Sequence, residues 1–394
     1  MADLDRDLAY AFAAVGGGRG LVTSVAVDLD PSTTPTRAQL DSRITSLTDG
    51  LERRVEALAP ALDHATARGL REDARAIRDR LEHGIDRSRL RGLSLAVCGT
   101  DGVWLEAGLR RPVRDETHVG RTARLAPLLP TLARDRTLVV AAASRDRGDV
   151  WRWRHGRLEP VVDAGRDGQG RHDQGGWSQA RYQRTIDRDA HLHLRDLVDA
   201  IARALAPGSE QLLVLACAED QRSELLGLLP SHLEEALIGW ATVEAHAGAA
   251  ALAEEGERLL EQRLAREGAA LVDELTGELG RAGRAVAAWA PTLAAAWAGQ
   301  VGTLLVDGRT ADAWACPACG QASAGPGRCA RDGRELEHEP GGGLDAALRG
   351  TLLHGGETRL VEEHGLARWD GVGALLRFDV RPPETRPPTA GART

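Results

Sequence analysis

Short apolar runs recur along this chain at wide intervals, separated by longer charged stretches with helical spacing. That alternation restricts the chain to α/β architectures, in which sheets are covered by helices. Over 21–29 apolar residues mark a strand (Val22, Val25, Val27), closed by a Pro/Ser/Thr turn at 31–35. Residues 37–91 are charged, with Leu40, Ile44, Leu47, Leu51, Val55 and Leu58 at helical spacing. A strand is predicted over 93–98, with a turn at 99–102 leading into another at 103–105. Residues 138–143 form a short buried strand, followed by strands over 150–155 and 158–162. A polar, glycine-bearing stretch over 164–176 leads into a helix over 177–205, ended by Pro207 and Gly208. A strand over 211–217, a short helix over 221–229 and a long helical pattern from 247 follow. The last third alternates a helix over 284–297, a strand over 301–306, a helix over 344–353 and strands over 358–362 and 373–378.

With 394 residues, length and pattern predict three domains and a tail. They are an N-terminal α/β domain (1–134), a central α/β domain with a glycine loop and a long helix (135–266), and a C-terminal α/β sandwich (267–380) carrying a cysteine insert at 316–332. Residues 381–394 are proline-rich and predict an extended, disordered tail. Asp3, Asp5 and Asp7 stand where a secretory signal needs positive charge, and no apolar run matches a membrane span. The expectation is a cytoplasmic protein that meets no membrane.

Composition then narrows the chemistry. All 50 Lys+Arg residues are arginine, and the chain contains no lysine and no asparagine. A GC-rich genome accounts for that bias, but the consequence holds whatever its origin. Phosphate-loop lysines, Schiff-base lysines and Ser–Lys pairs are excluded. Every positive charge is a planar guanidinium, suited to phosphate and to stacking on bases. Net charge is −8, so contact with nucleic acid requires a local basic patch.

Such a patch lies in the central domain. The glycine loop 165–176 runs straight into a predicted helix, whose first turn offers free N–H groups and a positive dipole end. Along that helix Trp177, Arg181, Arg184, Arg188, His191 and Arg195 recur every three or four residues and so share one face. From 145 to 188 there are 10 Arg against 7 Asp+Glu, a local excess in an acidic chain. A phosphate backbone fits such a stripe. A solvated, salt-bridged face fits it too, because Asp187, Asp189 and Asp196 lie nearby.

The segment Gly175-Gly176-Trp177-Ser178-Gln179-Ala180-Arg181-Tyr182-Gln183-Arg184 resembles the Gly-Gly-Gln-Ser-x-x-Arg-Phe segment of the archaeal/eukaryotic class-1 release factor superfamily, which includes Pelota. The surroundings agree: strands before it, a long helix after it, then Leu-Leu-Val-Leu-Ala at 212–216. Residues 299–306 and 371–378 resemble that superfamily's C-terminal domain, so the resemblance covers about 135–380. It is nearest the bacterial branch, which includes the Balon-type ribosome hibernation factors. The resemblance implies an RNase H-like central domain that reaches the ribosomal A site, with Arg171, His172, Gly175, Gly176, Trp177, Arg181, Arg184, Arg188 and Arg195 on RNA. It also implies a C-terminal domain that meets the ribosome or a translational GTPase such as EF-Tu.

Two departures bear on activity. The family's glutamine, which sets a water against the peptidyl-tRNA ester, is replaced by Trp177, whose indole N–H only donates. Stop-codon reading uses an Asn-Ile-Lys-Ser motif, which a chain without Asn or Lys cannot contain. The expectation is therefore a non-enzymatic A-site factor, for hibernation or stress, with no catalytic residue. Two alternatives stand beside it. One is a rescue factor hydrolysing peptidyl-tRNA with Gln174, His172 or Asp173 as the water-handling group; the other is an RNA-binding module working off the ribosome.

The insert carries a second signal. Cys316-Pro-Ala-Cys319-Gly320 is a zinc-knuckle turn, and Cys329-Ala-Arg-Asp332-Gly333 repeats it with an aspartate in the last place. Three thiolates and one carboxylate satisfy tetrahedral Zn²⁺, with Asp332 or His338 as the fourth ligand. A degenerate ribbon without metal is the alternative. Some archaeal members of the superfamily carry a similar insert, in keeping with a structural zinc. Elsewhere, His191 and His193 read as helix-surface histidines, and Cys98 and Cys217 as small core residues. The Trp151-Arg152-Trp153-Arg154 run reads as a base-stacking strand or as an edge strand packing one aromatic face.

Overall fold

The computed structural model describes residues 2–18, 20–83, 85, 87, 90–134, 136–143, 148–154, 157–161, 179–205, 211–241, 248–362 and 365–378. Side chains of 154, 157 and 179–190 are outside that description. Its contacts divide the chain into two compact units, Met1–Ala133 with Gly268–Thr394, and Arg134–Glu267.

In the first unit a five-stranded sheet runs Ala2–Asp3, Val103–Leu109, Gly92–Cys98, Val22–Asp28, Glu116–Gly120, antiparallel except at its first edge. All seven residues of Val22–Asp28 and of Gly92–Cys98 are buried, so both faces are covered. Helices Arg37–Leu58 and His64–Glu82 close one face over Val25, Val27, Leu93, Leu95 and Val97. Thr36 and Asp63 cap them, the first through a capping box with Gln39. Pro60 marks the break between the two helices in what reads as one charged stretch.

The opposite face joins a core that the C-terminal stretch completes, with Phe12, Ala96 and Leu125 beside Trp289, Leu293 and Leu348. There a four-stranded sheet runs Ala285–Ala287, Val372–Leu376, Val301–Val306, Glu357–Leu360. Residues 284–297, expected as one helix, divide into the strand Ala285–Ala287 and the helix Trp289–Trp297, with Ala288 at φ 66° turning the chain between them. The strand gains a full antiparallel partner in Val372–Leu376, a contact that local propensity does not register. A small sheet of Ala322–Ser323, Ala313–Ala315 and Glu337–Glu339 frames the cysteine insert.

The second unit holds a sheet ordered Leu237–Trp240, Leu212–Ala216, Leu138–Ala143, Gly148–Arg154, Arg157–Pro160. Its first three strands are parallel and buried strongly at the centre, as their unbroken apolar runs require. The helix Gln179–Ala204 covers one face through Leu194, Leu197, Val198 and Ile201. The helix Ala249–Gly280 covers the other through Leu252, Leu259 and Leu260. Among the described residues no helix is long and apolar enough to cross a membrane.

Candidate functional site

Two places carry the chemistry read from the sequence. The first is the helix Gln179–Ala204. Arg171, His172, Gly175, Gly176 and Trp177 lie outside the described residues. Arg181, Arg184 and Arg188 fall on the helix, but their side chains are outside the description. Arg195 is exposed on it, while Leu194, Leu197, Val198 and Ile201 are buried; the helix thus separates a packed stripe from an open one. His191 pairs with Glu224 at 2.8 Å, which makes it a surface ion-pair residue. Trp153 is buried and Trp151 packs against the same cluster, so this strand spends its aromatics on the core. Arg152 donates to the Ala204 carbonyl at 3.2 Å.

The second place is the insert. The Sγ atoms of Cys316, Cys319 and Cys329 and a carboxylate oxygen of Asp332 lie within 4.8 Å of one another. The two half-turns are built alike. Gly320 N–H donates to Cys316 O and Gly333 N–H to Cys329 O, each at 2.9 Å, and both glycines take left-handed φ, 73° and 72°. In each half-turn a backbone N–H is aimed at a cysteine sulfur, Gln321 on Cys319 and Arg331 on Cys329, the latter at 3.4 Å. Cys319 Sγ is 3.5 Å from Cys329 Sγ, and Cys316 Sγ is 3.5 Å from Asp332 Oδ2. Thiolates at about 2.3 Å and a carboxylate at about 2.0 Å from Zn²⁺ stand about 3.5–3.8 Å apart in a tetrahedron. The donor set therefore fits a tetrahedral metal ion.

Electrostatics agree with that fit. Burial and the neighbouring thiols push the Cys319 thiol up to about 11, a strain that a bound cation relieves. The Arg334 N–H and the Cys329 thiol hold the Asp332 carboxyl below its ordinary range. Of the two candidates for fourth ligand, the structure brings Asp332 to the thiols. His338 is engaged elsewhere, with Nε2 3.1 Å from Asp312 Oδ2 and its ring 4.7 Å from that of Trp314. Cys98 and Cys217 are buried, and burial pushes both thiols up to about 11, which suits inert core residues.

Helix Gly343–Leu353 buries two charges, Asp345 and Arg349, against the N-terminal stretch. Arg349 donates to the carbonyls of Ala13, Val15 and Ala123 at 2.5, 2.7 and 2.9 Å. Asp345 accepts from the N–H groups of Leu125 and Ala126 at 2.5 and 2.9 Å and faces Arg124 at 2.6 Å. The available signal was a lone charge pair, one turn apart, on an otherwise apolar helix.

The long helix Gln179–Ala204 and the sheet it covers lie within the stretch that compares with release factors. Residues 124–282 match the model of Bacterial archaeo-eukaryotic release factor family 10. No curated protein sequence matches the chain. Among solved structures, an archaeal translation termination factor, aRF1, is similar at 15% identity over 95% of this chain and 98% of its own, with a TM-score of 0.25. Pelota from Archaeoglobus fulgidus is similar at 14% identity over 74% of this chain and 80% of its own, with a TM-score of 0.32. A chain from ribosome-bound archaeal Pelota and ABCE1 is similar at 15% identity over 71% and 73%, with a TM-score of 0.37.

Proposed function

We propose that this protein is a ribosome-binding factor that occupies the A site without releasing peptide, in hibernation or stress. The observation that carries the reading lies in the sequence: by the resemblance of residues 175–184 to the superfamily's Gly-Gly-Gln segment, Trp177 takes the place of the glutamine. An indole N–H donates one hydrogen bond and accepts none, so it cannot hold a water by its lone pair for attack on an ester. The residues proposed on RNA are Arg171, His172, Gly175, Gly176, Trp177, Arg181, Arg184, Arg188 and Arg195, with guanidinium groups on phosphate. A translational GTPase such as EF-Tu is the partner proposed for the C-terminal stretch, and the cytoplasm its compartment. The metal proposed at Cys316, Cys319, Cys329 and Asp332 is a structural zinc ion; all four protein ligands are supplied, leaving no open position for catalysis.

The test is co-sedimentation with vacant ribosomes, paired with a peptide-release assay on stalled complexes. Binding with no release supports the reading, and absence of binding above background overturns it. Release that is lost in Trp177→Ala or His172→Ala establishes the rescue enzyme instead. Zinc is checked by metal analysis of the purified chain, where less than about half an equivalent counts against it.

A further inference from the structure

The cysteine cluster does more than close its own loop. Its first half-turn lies on the glycine run of the N-terminal stretch: a Cβ on Gly17 would come within 2.7 Å of the Ala318 carbonyl, inside Cys316–Cys319. Gly17 sits at φ 72°, so the close approach and the backbone both require glycine. Gly320 closes that half-turn, and a Cβ on it would stand 3.7 Å from Thr122 and 3.9 Å from the Arg349 side chain. Gly16 and Thr122 form an isolated antiparallel bridge, and Arg349 grips the carbonyls of Val15 and Ala123 on either side of it. The donor cluster, Arg349 and segments 13–17 and 121–126 are thus neighbours in one dock.

What holds the outer wall of that dock is narrow. Among the described residues, the hydrogen bonds joining the first half-turn to the second all run through donor atoms or Gln321: Cys316 to Asp332, Cys319 to Cys329, and Cys329 to Gln321 Oε1 at 3.4 Å. Each is a weak sulfur contact. A metal ion shared by the four donors replaces them with coordination bonds and fixes the first half-turn against Gly17.

We propose that the cluster is a metal-gated latch: with zinc bound, it and Arg349 hold segments 13–17 and 121–126 against the C-terminal stretch, and loss of the ion frees those segments. The latch rests on the metal reading given above. It assigns the insert a role in domain docking, in addition to local stability.

Hydrogen exchange on the full chain tests it, after metal content has been measured. With zinc stripped by a chelator, amides at 13–17 and 121–126 exchange on the order of tenfold faster, and zinc ion alone restores them. Strands Leu138–Ala143 and Leu212–Ala216 keep their protection throughout. Arg349→Met, with zinc retained, exposes the same two segments and gives the signature of an open dock. Faster exchange confined to 313–339 overturns the latch while leaving the zinc reading intact. Loss of protection that extends to Leu138–Ala143 overturns it as well, because the ion then serves the fold at large. A chain that holds no metal and takes up none overturns both.

Discussion

Asp345 and Arg349 sit one helical turn apart and are 6% and 4% exposed, yet neither spends its charge mainly on the other. Each is satisfied by backbone groups of a segment more than 200 residues away, which is how a buried charge becomes tolerable. Removing one partner leaves the rest stranded. Asp345→Ala abandons the Leu125 and Ala126 N–H groups and the Arg124 guanidinium, and is expected to cost about 3–5 kcal/mol; an unchanged urea midpoint would contradict it. His118 lies near the same cluster, and burial, followed by Arg124 and Arg54, pulls its imidazole down to about 4 while Asp345 acts the other way. Its folded value is below its unfolded one, so its contribution is complete above about 6.5 and is lost as pH falls from there towards about 4. That loss amounts to about 2–3 kcal/mol. Glu116 and Glu339 are held above the ordinary carboxyl range by burial, and what they contribute at low pH is lost as pH rises. The wild-type curve sums these with the other shifted carboxyls, Asp73 and Asp332 among them, whereas the difference between wild type and His118→Gln isolates the histidine slope.

The helix Gln179–Ala204 is anchored by its second half, where Leu197 meets Gly148 on the neighbouring strand: a Cβ there would stand 3.1 Å from the leucine methyl. Leu197→Ala is expected to cost about 2–5 kcal/mol by emptying that contact, read as a lowered unfolding midpoint. Charge reversal along the arginine positions leaves that anchor alone. Arg181, Arg184 and Arg188 to Glu should keep the midpoint, weaken ribosome binding and flatten its salt dependence. These elements also show what a sequence discloses. Strand 138–143 was legible because a central strand covered on both faces writes an unbroken apolar run. Ala285–Ala287 was not, since alanine favours helix locally and only the distant pairing with Val372–Leu376 makes it a strand. The short strand Ala2–Asp3 and the helix Arg6–Ala14 went unread for want of length. At the insert, the repeated cysteine spacing put Asp332 in the last ligand place, with His338 as the other candidate. The approach of Asp332 to the thiols and the pairing of His338 with Asp312 separate them. The dock around Arg349 left almost no local trace, because backbone carbonyls have no sequence identity.

At the scale of the molecule, the chain leaves its first unit near Ala133 and returns at Gly268, so the second unit is an insertion with its own sheet and core. The helix Ala249–Gly280 is common to both: Leu252, Leu259 and Leu260 serve the second unit's core, and Leu271, Val272 and Leu275 serve the first unit's cluster with Leu305 and Leu366. A ligand that binds only the folded first unit stabilises that unit by mass action, about 4 kcal/mol at a thousandfold excess over Kd. Calorimetry of the full chain should therefore resolve two transitions. Stripping zinc should lower the one that belongs to the first unit, and Leu197→Ala should lower the other. If both perturbations move a single transition by the same amount, the helix Ala249–Gly280 couples the two cores fully, and the chain unfolds as one cooperative body.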